Sequence, residues 1–461
     1  MRKKHRSGGR NRTLKTLVVS TALLLVALLI FAVAISLDNT APSVTVKVPS
    51  TKAPTTTAPA EPTTAPTQPP VVKESTFTLS ATGDLLMHVA VMNTAKSNGS
   101  YDFSSMFTYF KDYVSAADLA TANLETTLAG SNNGYKYKGY PRFNCPDEIV
   151  DGAKDAGFDL LLTANNHAYD TSSTGLNRTV DVVREKGMLN LGTKDTADEP
   201  NYMVAEHDGI KLGLVCYTYE TNADPNKKAP NGLPMKTADA PLMNTFDYTN
   251  INMFYSEVKE SIQLMKAEGV NAVIVFIHWG TEYQTKQNKT QSTIAQELCD
   301  LGVDVIIGGH PHVVQPVDLL ESTTDENHKT VCLYSMGNAV SNQRRANMNL
   351  KTGHTEDGVL FSVTFARYSD GTVILESADL LPTWVNLANH PQTGKKAYMI
   401  LPLDDKLEDW KTAFSLSDSG LKNAKASYER TVKITGEGMT KVNTWLTQNQ
   451  ADTEAAIGVQ K

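Results

Sequence analysis

Val303-Asp304-Val305-Ile306-Ile307-Gly308-Gly309-His310-Pro311-His312 decides how the rest of this 461-residue chain is read. An apolar, β-favouring run enters two glycines, and two histidines follow with one proline between them. That is the pattern of a buried strand ending in a tight turn that throws imidazoles outward. Imidazole nitrogen suits divalent transition metals, glycine lets the backbone approach an ion, and Pro311 restricts the dihedral separating the two rings. Two surface histidines in a turn would carry the same letters. The ends of the other strands discriminate between the two readings.

Working outward, the hydrophobic pattern predicts strands over 77–82, 118–123, 158–164, 212–217, 272–277, 303–307 and 330–335. Helices are predicted over 146–156, 175–186, 255–268 and 292–301. Near-continuous apolar strands between amphipathic helices imply buried sheets covered by helices, an α/β layered domain. Residues 359–365 and 372–380 alternate instead and are joined by Ser369-Asp370-Gly371, a hairpin signal. The tail from 404 to 461 is charged, helical in pattern and shows no chemistry.

Each early strand is followed by polar residues of metal-binding type. Gly83-Asp84 follows the first, Asn123-Leu124-Glu125 the second, and Asn165-Asn166-His167 with Asp170 the third. His278-Trp279-Gly280-Thr281-Glu282-Tyr283 follows 272–277, and Met336-Gly337-Asn338 follows 330–335. In α/β sheets ligands bind beyond the carboxyl ends of strands, so these side chains are expected on one rim, as a binuclear metal site. Taken singly each has a structural reading. Asp84 fits a helix N-cap, Glu125 a solvated loop acid, Asn165 and Asn166 turn positions, and His278 a core-edge histidine. His88 reads as a surface or supporting residue, and Trp279 and Tyr283 as packing aromatics. Six such accidents at successive strand ends are improbable together.

Composition narrows the rest. A net charge of −7, with no basic stripe beyond the first sixteen residues, argues against a nucleic-acid partner. Residues 1–16 carry seven Lys or Arg and no acid, and 17–37 is an uncharged apolar run long enough to span a bilayer. This predicts a cytoplasmic basic tail, a single transmembrane signal anchor and an extracellular remainder. Cleavage after the small-x-small Ala32-Val33-Ala34 is the competing expectation. Residues 38–75 are rich in Thr and Pro and are expected to form a disordered linker spanning on the order of 100 Å at about 3 Å per residue. Cys145, Cys216, Cys299 and Cys332 are widely spaced and read as buried free thiols.

The ordered set Gly83-Asp84, Asn123-Leu124-Glu125, Asn165-Asn166-His167 with Asp170, His278 to Tyr283, Gly309-His310-Pro311-His312-Val313-Val314-Gln315 and Ser335-Met336-Gly337-Asn338 resembles the CapA family. That family of bacterial capsule-synthesis, poly-γ-glutamate proteins belongs to the calcineurin-like metallophosphatase superfamily. The resemblance implies a four-layer α/β/β/α sandwich, expected over 76–385, and the residues beyond it, 386–461, are expected from their own pattern to form a helical extension. It implies Asp84, Glu125, Asn166, His278, His310 and His312 as metal ligands and His167 as proton donor to a leaving group. Asn165, Asp170, Glu282 and Asn338 would support the site or meet substrate. The cofactor would be one or more divalent ions, with Mn, Fe or Zn suited to such ligands. Leu86 stands where the superfamily has a histidine, and Glu125 where it has a bridging Asp. The implied partners are poly-γ-glutamate or another anionic envelope polymer and membrane-bound synthase subunits, with Arg142, Arg344 and Arg345 as candidate cationic contacts. A non-catalytic assembly factor and a phosphoesterase unrelated to capsule are the alternatives.

Overall fold

The computed structural model describes residues 70–132, 134–221 and 228–459. The predicted anchor and most of the predicted linker lie outside these residues. No helix among the described residues is long and apolar enough to cross a membrane.

Two sheets form the framework. In the first, the strands run in the order Lys396–Pro402, Val373–Asn389, Asp357–Tyr368, Lys73–Leu85, Leu119–Asn123, Leu160–Leu162 and Leu189–Leu191, with Asn338–Val340 pairing the end of Lys73–Leu85. In the second, the order is Val317–Glu321, Lys329–Leu333, Val305–Gly309, Ala272–His278, Ile210–Glu220 and Tyr202–His207, with Thr245–Asp247 beside Ile210–Glu220. The strands that carry the candidate motifs are mutually parallel within each sheet. Their carboxyl ends therefore emerge along common edges.

Side-chain alternation explains the layering. Leu160 and Leu162 point into a core shared with Leu212, Leu214, Ile274, Phe276, Val305 and Ile307 of the second sheet. Leu161, between them, faces the opposite way, against Ile149 and Val150 of helix Glu148–Asp155 and Val182 and Val183 of helix Ser172–Glu185. On the far side, Val273, Val275 and Ile277 meet Phe254, Val258 and Ile262 of helix Ile251–Ala267 and Ile294 and Leu298 of helix Lys289–Asp300. Helices, sheet, sheet and helices follow one another, as strands apolar on both faces require. Each buried Leu or Ile contributes about 1.5–3 kcal/mol relative to exposure.

Two sequence expectations are corrected. The first strand among the described residues, Lys73–Leu85, begins three residues before the predicted boundary at 76. Residues 386–402 are not part of a helical extension. The strand Val373–Asn389 runs through that boundary, and Lys396–Pro402 pairs antiparallel with it as the sheet edge. The 40-residue helix Asp418–Ile457 follows, and its Val442 and Leu446 enter the core between the sheets. All four cysteines are buried and free.

Candidate metal centre

Register brings the motifs together. Asp84 pairs with Asn123 on one side and Asn338 on the other, so the ends of three strands of the first sheet meet at this carboxylate. In the second sheet His278 pairs with Gly309, which places the imidazole of one strand end beside the turn bearing His310 and His312. Gly308 permits that turn, because a Cβ there would stand 2.0 Å from the Tyr334 carbonyl oxygen and 2.6 Å from the Trp279 Nε1. His310 and His312 both take positive φ, 93° and 55°. For residues with a Cβ this costs on the order of 1–3 kcal/mol each and is held by surrounding structure, as is typical of functional turns.

Asp84, Glu125 and His312 form the tightest group, with one ligating atom from each lying within 4.8 Å of the others. His278 Nε2 is 2.9 Å from Asn166 Oδ1 and 3.7 Å from Glu125 Oε1, while His312 Nε2 approaches the same Oε1 at 3.8 Å. The His310 ring lies 5.0 Å from that of His278 and 6.0 Å from that of His312. All six predicted ligands, Asp84, Glu125, Asn166, His278, His310 and His312, are buried.

The supporting hydrogen bonds orient these groups. Asn123 Nδ2 donates to Asp84 Oδ1 (2.7 Å), and Asn165 Nδ2 donates to Asn123 Oδ1 (3.1 Å) and the Leu124 carbonyl (2.9 Å). His312 Nδ1–H donates to Asp84 Oδ2 (3.0 Å) and Asn338 Oδ1 (3.1 Å), which turns its Nε2 toward Glu125. Asn338 Nδ2 in turn donates to the carbonyls of His312 (3.2 Å) and Thr355 (3.0 Å). His167 Nδ1–H donates to Asp170 Oδ2 at 2.8 Å, and the same oxygen accepts the Phe143 N–H at 2.5 Å. The Phe143 ring meets His167 edge-on at 4.7 Å. Glu282 is exposed, yet its charge is among those that raise the Glu125 pKa.

A divalent cation fits this donor set on two observations. Both Glu125 oxygens and His310 Nδ1 are buried without a hydrogen-bond partner. An ionised carboxylate left so is costly, and a cation would remove that cost. Protonation points the same way. Burial, then the charge of Asp84, pushes the Glu125 carboxyl well above its ordinary range, while burial and neighbouring imidazoles push His278 and His310 well down. Burial opposes charge on His312 too, but Glu125 and Asp84 hold it up to about 9. Neutral imidazoles and a high-energy carboxylate are the forms that a metal would take up, with release of protons.

Some predicted residues stand elsewhere. Arg344 Nη1 donates to the Val385 carbonyl and Arg345 pairs with Glu356 at 3.2 Å, so both serve the fold. Trp279 is a packing residue, with its Nε1 on the Tyr334 carbonyl at 2.9 Å. Leu86 is buried, and its N–H is bonded to the Val340 carbonyl. His88 accepts the Asn342 N–H at 3.3 Å and leans on Phe143, and burial lowers its pKa to about 4. Sequence reasoning did not single out Phe143 or Tyr219, whose ring lies 4.7 Å from His310. Neither carries a periodic or motif signal of its own.

Fold and site together define a two-sheet α/β protein with a buried candidate metal centre at the strand ends. Residues 78–343, more than half of the chain, match the family described as bacterial capsule synthesis protein PGA_cap, and the chain belongs to that family. It is 25% identical to the capsule biosynthesis protein CapA of Bacillus anthracis over 66% of this chain and 67% of that protein. To the PGA biosynthesis protein CapA of Bacillus subtilis it is 27% identical, over 59% of this chain and 64% of that one. The chain thus spans about two thirds of the length of these curated relatives. Among solved structures, a phosphatase from Mycoplasma pneumoniae is similar with a TM-score of 0.38 and 15% identity, covering 67% of this chain and 93% of that one.

Proposed function

We propose that this protein is a membrane-anchored, extracellular member of the family that acts in the synthesis, export or anchoring of poly-γ-glutamate or a related anionic envelope polymer, through a metal-dependent hydrolase-like site. The observation that carries this reading is the Glu125 carboxylate, fully buried, unpartnered and facing the imidazoles of His278 and His312. Asp84, Glu125, Asn166, His278, His310 and His312 would hold the ion or ions, with Mn, Fe or Zn suited to nitrogen and oxygen donors. A divalent ion so held lowers the pKa of water and polarises an oxyanion. The basic tail and apolar run of residues 1–37 support the anchored topology.

The protein's own proton chemistry rests on His167. Its Nδ1–H is committed to Asp170, so Nε2 is the atom left to give a proton to a departing group or to take one. Asp170 fixes the ring orientation, and the Phe143 amide fixes Asp170. Such a site accommodates phosphoester hydrolysis and hydrolysis or transfer at a γ-glutamyl amide. The buried Leu86 favours a second reading, a polymer-binding assembly factor without turnover, because the position cannot supply a ligand. Purified full-length protein assayed for metal content and for turnover of a phosphodiester and a γ-glutamyl oligomer separates the two. Metal-dependent turnover lost in His167→Ala supports catalysis. Bound metal with no turnover of either substrate supports the assembly role.

A further inference from the structure

The sequence pattern groups Tyr283 with Trp279 as a packing aromatic, and the structure separates the two. Trp279 is fully buried in the cluster that includes Phe254, and Tyr219 and Tyr248 lean on the same cluster. Tyr283 is half-buried and joins none of the apolar clusters among the described residues. Its ring lies instead 6.2 Å from that of His312, inclined by 32°. Its backbone takes φ 64°, a conformation that is costly for a bulky side chain and persists only where the surroundings enforce it. Two bonds enforce it here. The Tyr283 N–H donates to the Pro311 carbonyl at 2.8 Å, and Gln315 Nε2 holds the carbonyl of the next residue, Gln284, at 2.8 Å. The turn that carries His310 and His312 thus also fixes Tyr283, and strain maintained for a ring outside every core needs another reason.

A chain of hydrogen bonds from the metal centre sets the direction of the phenol. Asn338 Nδ2 lies on two backbone carbonyls, those of His312 (3.2 Å) and Thr355 (3.0 Å), so that end of the amide is its N–H end. The third contact of the same nitrogen, to buried Gln343 at 3.1 Å, is therefore with Oε1. Gln343 Nε2 is left to donate, and it does so to the Tyr283 phenol oxygen at 3.2 Å. That oxygen accepts from Gln343, and its own O–H is directed elsewhere. At the other end of the chain, Asn338 Oδ1 accepts from His312 Nδ1–H. One network thus orients a predicted metal ligand and a phenol donor together. After burial, the charges of Glu282 and Glu125 both act on the phenol and raise its pKa, which places it within electrostatic reach of the central carboxylate. In the free protein the exposed Glu282 takes the phenol proton as hydrogen-bond acceptor.

We propose that Tyr283 is a substrate-binding residue of the metal centre, whose O–H turns from Glu282 and donates to an anionic oxygen of the tetrahedral group held there. The proposal rests on the metal-dependent reading above and adds to it a neutral donor at the rim. Such a donor is needed because the imidazoles of His278, His310 and His312 are the groups that would face an ion, and a ligand nitrogen offers it a lone pair and not a proton. A phenol fixed by Gln343 before the anion arrives needs little reorganisation to meet it, which is the condition under which a hydrogen bond to developing charge is strongest. Glu282 is a solvated acceptor that an anion bound close by can replace.

The test is isothermal titration calorimetry of inorganic phosphate into the Mn²⁺-loaded full-length protein in detergent, with near-ultraviolet tyrosine difference spectra recorded on the same samples. Tyr283→Phe keeps the ring and loses the donor. It is expected to weaken phosphate binding by about ten-fold or more, with metal content and thermal midpoint unchanged. Phosphate should shift the tyrosine spectrum of the parent and leave that of the variant in place. Equal phosphate affinity in the two proteins would overturn the proposal and leave the metal centre standing. Loss of metal or of thermal stability in the variant would also overturn it, because the phenol would then serve the fold. A parent that takes up metal and binds no phosphate would overturn the proposal alone, whereas a parent that takes up no metal would overturn the metal-dependent reading and this proposal with it.

Discussion

His278 Nε2 stands 2.9 Å from Asn166 Oδ1, although 112 positions separate the two residues in the chain. Each belongs to a different sheet, and the contact exists only because both sheets end their parallel strands on the same rim. Two atoms of metal-ligand type, with Glu125 Oε1 at 3.7 Å from the same Nε2, thus converge without any covalent or local constraint. Asn166→Ala and His278→Ala should each lower bound metal per protein, as read by elemental analysis, by about ten-fold in apparent affinity or more. The thermal midpoint of the metal-stripped protein should move much less in Asn166→Ala than in a core truncation such as Leu214→Ala, which is expected to cost about 2–5 kcal/mol.

Glu125 couples metal binding to pH. With its folded-state pKa raised by burial and by Asp84, the metal-free folded protein holds a proton there that the unfolded chain has already released. Stability of the metal-free form is therefore fully present below the ordinary glutamate pKa and is lost as pH rises toward the raised value. Glu125→Gln removes that loss, since Asp84 remains to balance His312. Stripped of metal, the variant should melt about 2 °C above the parent at pH 8 and alongside it near pH 4. Apparent metal affinity of the parent should rise by about ten-fold per pH unit or more between about pH 6 and 8, because loading displaces protons. A flat profile would contradict the coupling.

The two glycines of the histidine turn are expected to respond differently. A Cβ on Gly308 meets the Tyr334 carbonyl at 2.0 Å, so Gly308→Ala should destabilise the fold by about 3 kcal/mol or more. A Cβ on Gly309 has only His278 Nδ1 at 3.4 Å and Asp84 Oδ1 at 3.6 Å beside it, both ordinary contacts. Gly309→Ala should keep its thermal midpoint and lose metal, because the methyl group lies among the donor residues. Melting curves and metal content on the same samples distinguish the two effects.

His167→Ala should reduce any metal-dependent turnover by about 10²–10⁴-fold with metal content unchanged, as removal of a proton donor does. Asp170→Asn should cost less, since the ring remains and only its orientation and tautomer are disturbed. Equal metal loss in both variants would place His167 among the ligands instead.

Much of this site was legible in the sequence because parallel strands buried on both faces leave a strong signal, a run of apolar residues that stops at polar ones. The strand Ala272–His278 and its following histidine were readable for that reason. Edge strands were harder. Lys396–Pro402 does carry an apolar run, Ala397 to Leu401, but no polar residues of metal-binding type follow it, and its place in the sheet comes only from pairing with Val373–Asn389. Val317–Glu321 likewise owes its strand form to Lys329–Leu333 and to the helix packed over it. The fates of Arg344 and Arg345 were not legible either, because Val385 and Glu356 approach them only in three dimensions. Phe143 is the instructive omission. Its contribution is a backbone N–H and a ring edge on His167, neither of which a side-chain motif announces.

The most direct test is anomalous scattering from crystals of the protein grown with Mn²⁺, Fe²⁺ or Zn²⁺ in turn, collected at each metal's absorption edge. A peak enclosed by Asp84, Glu125, His278, His310 and His312 is the predicted result, and its absence from Glu125→Gln crystals would bind it to that carboxylate. Metal found only at surface residues, or none at that position under any of the three ions, would contradict the account.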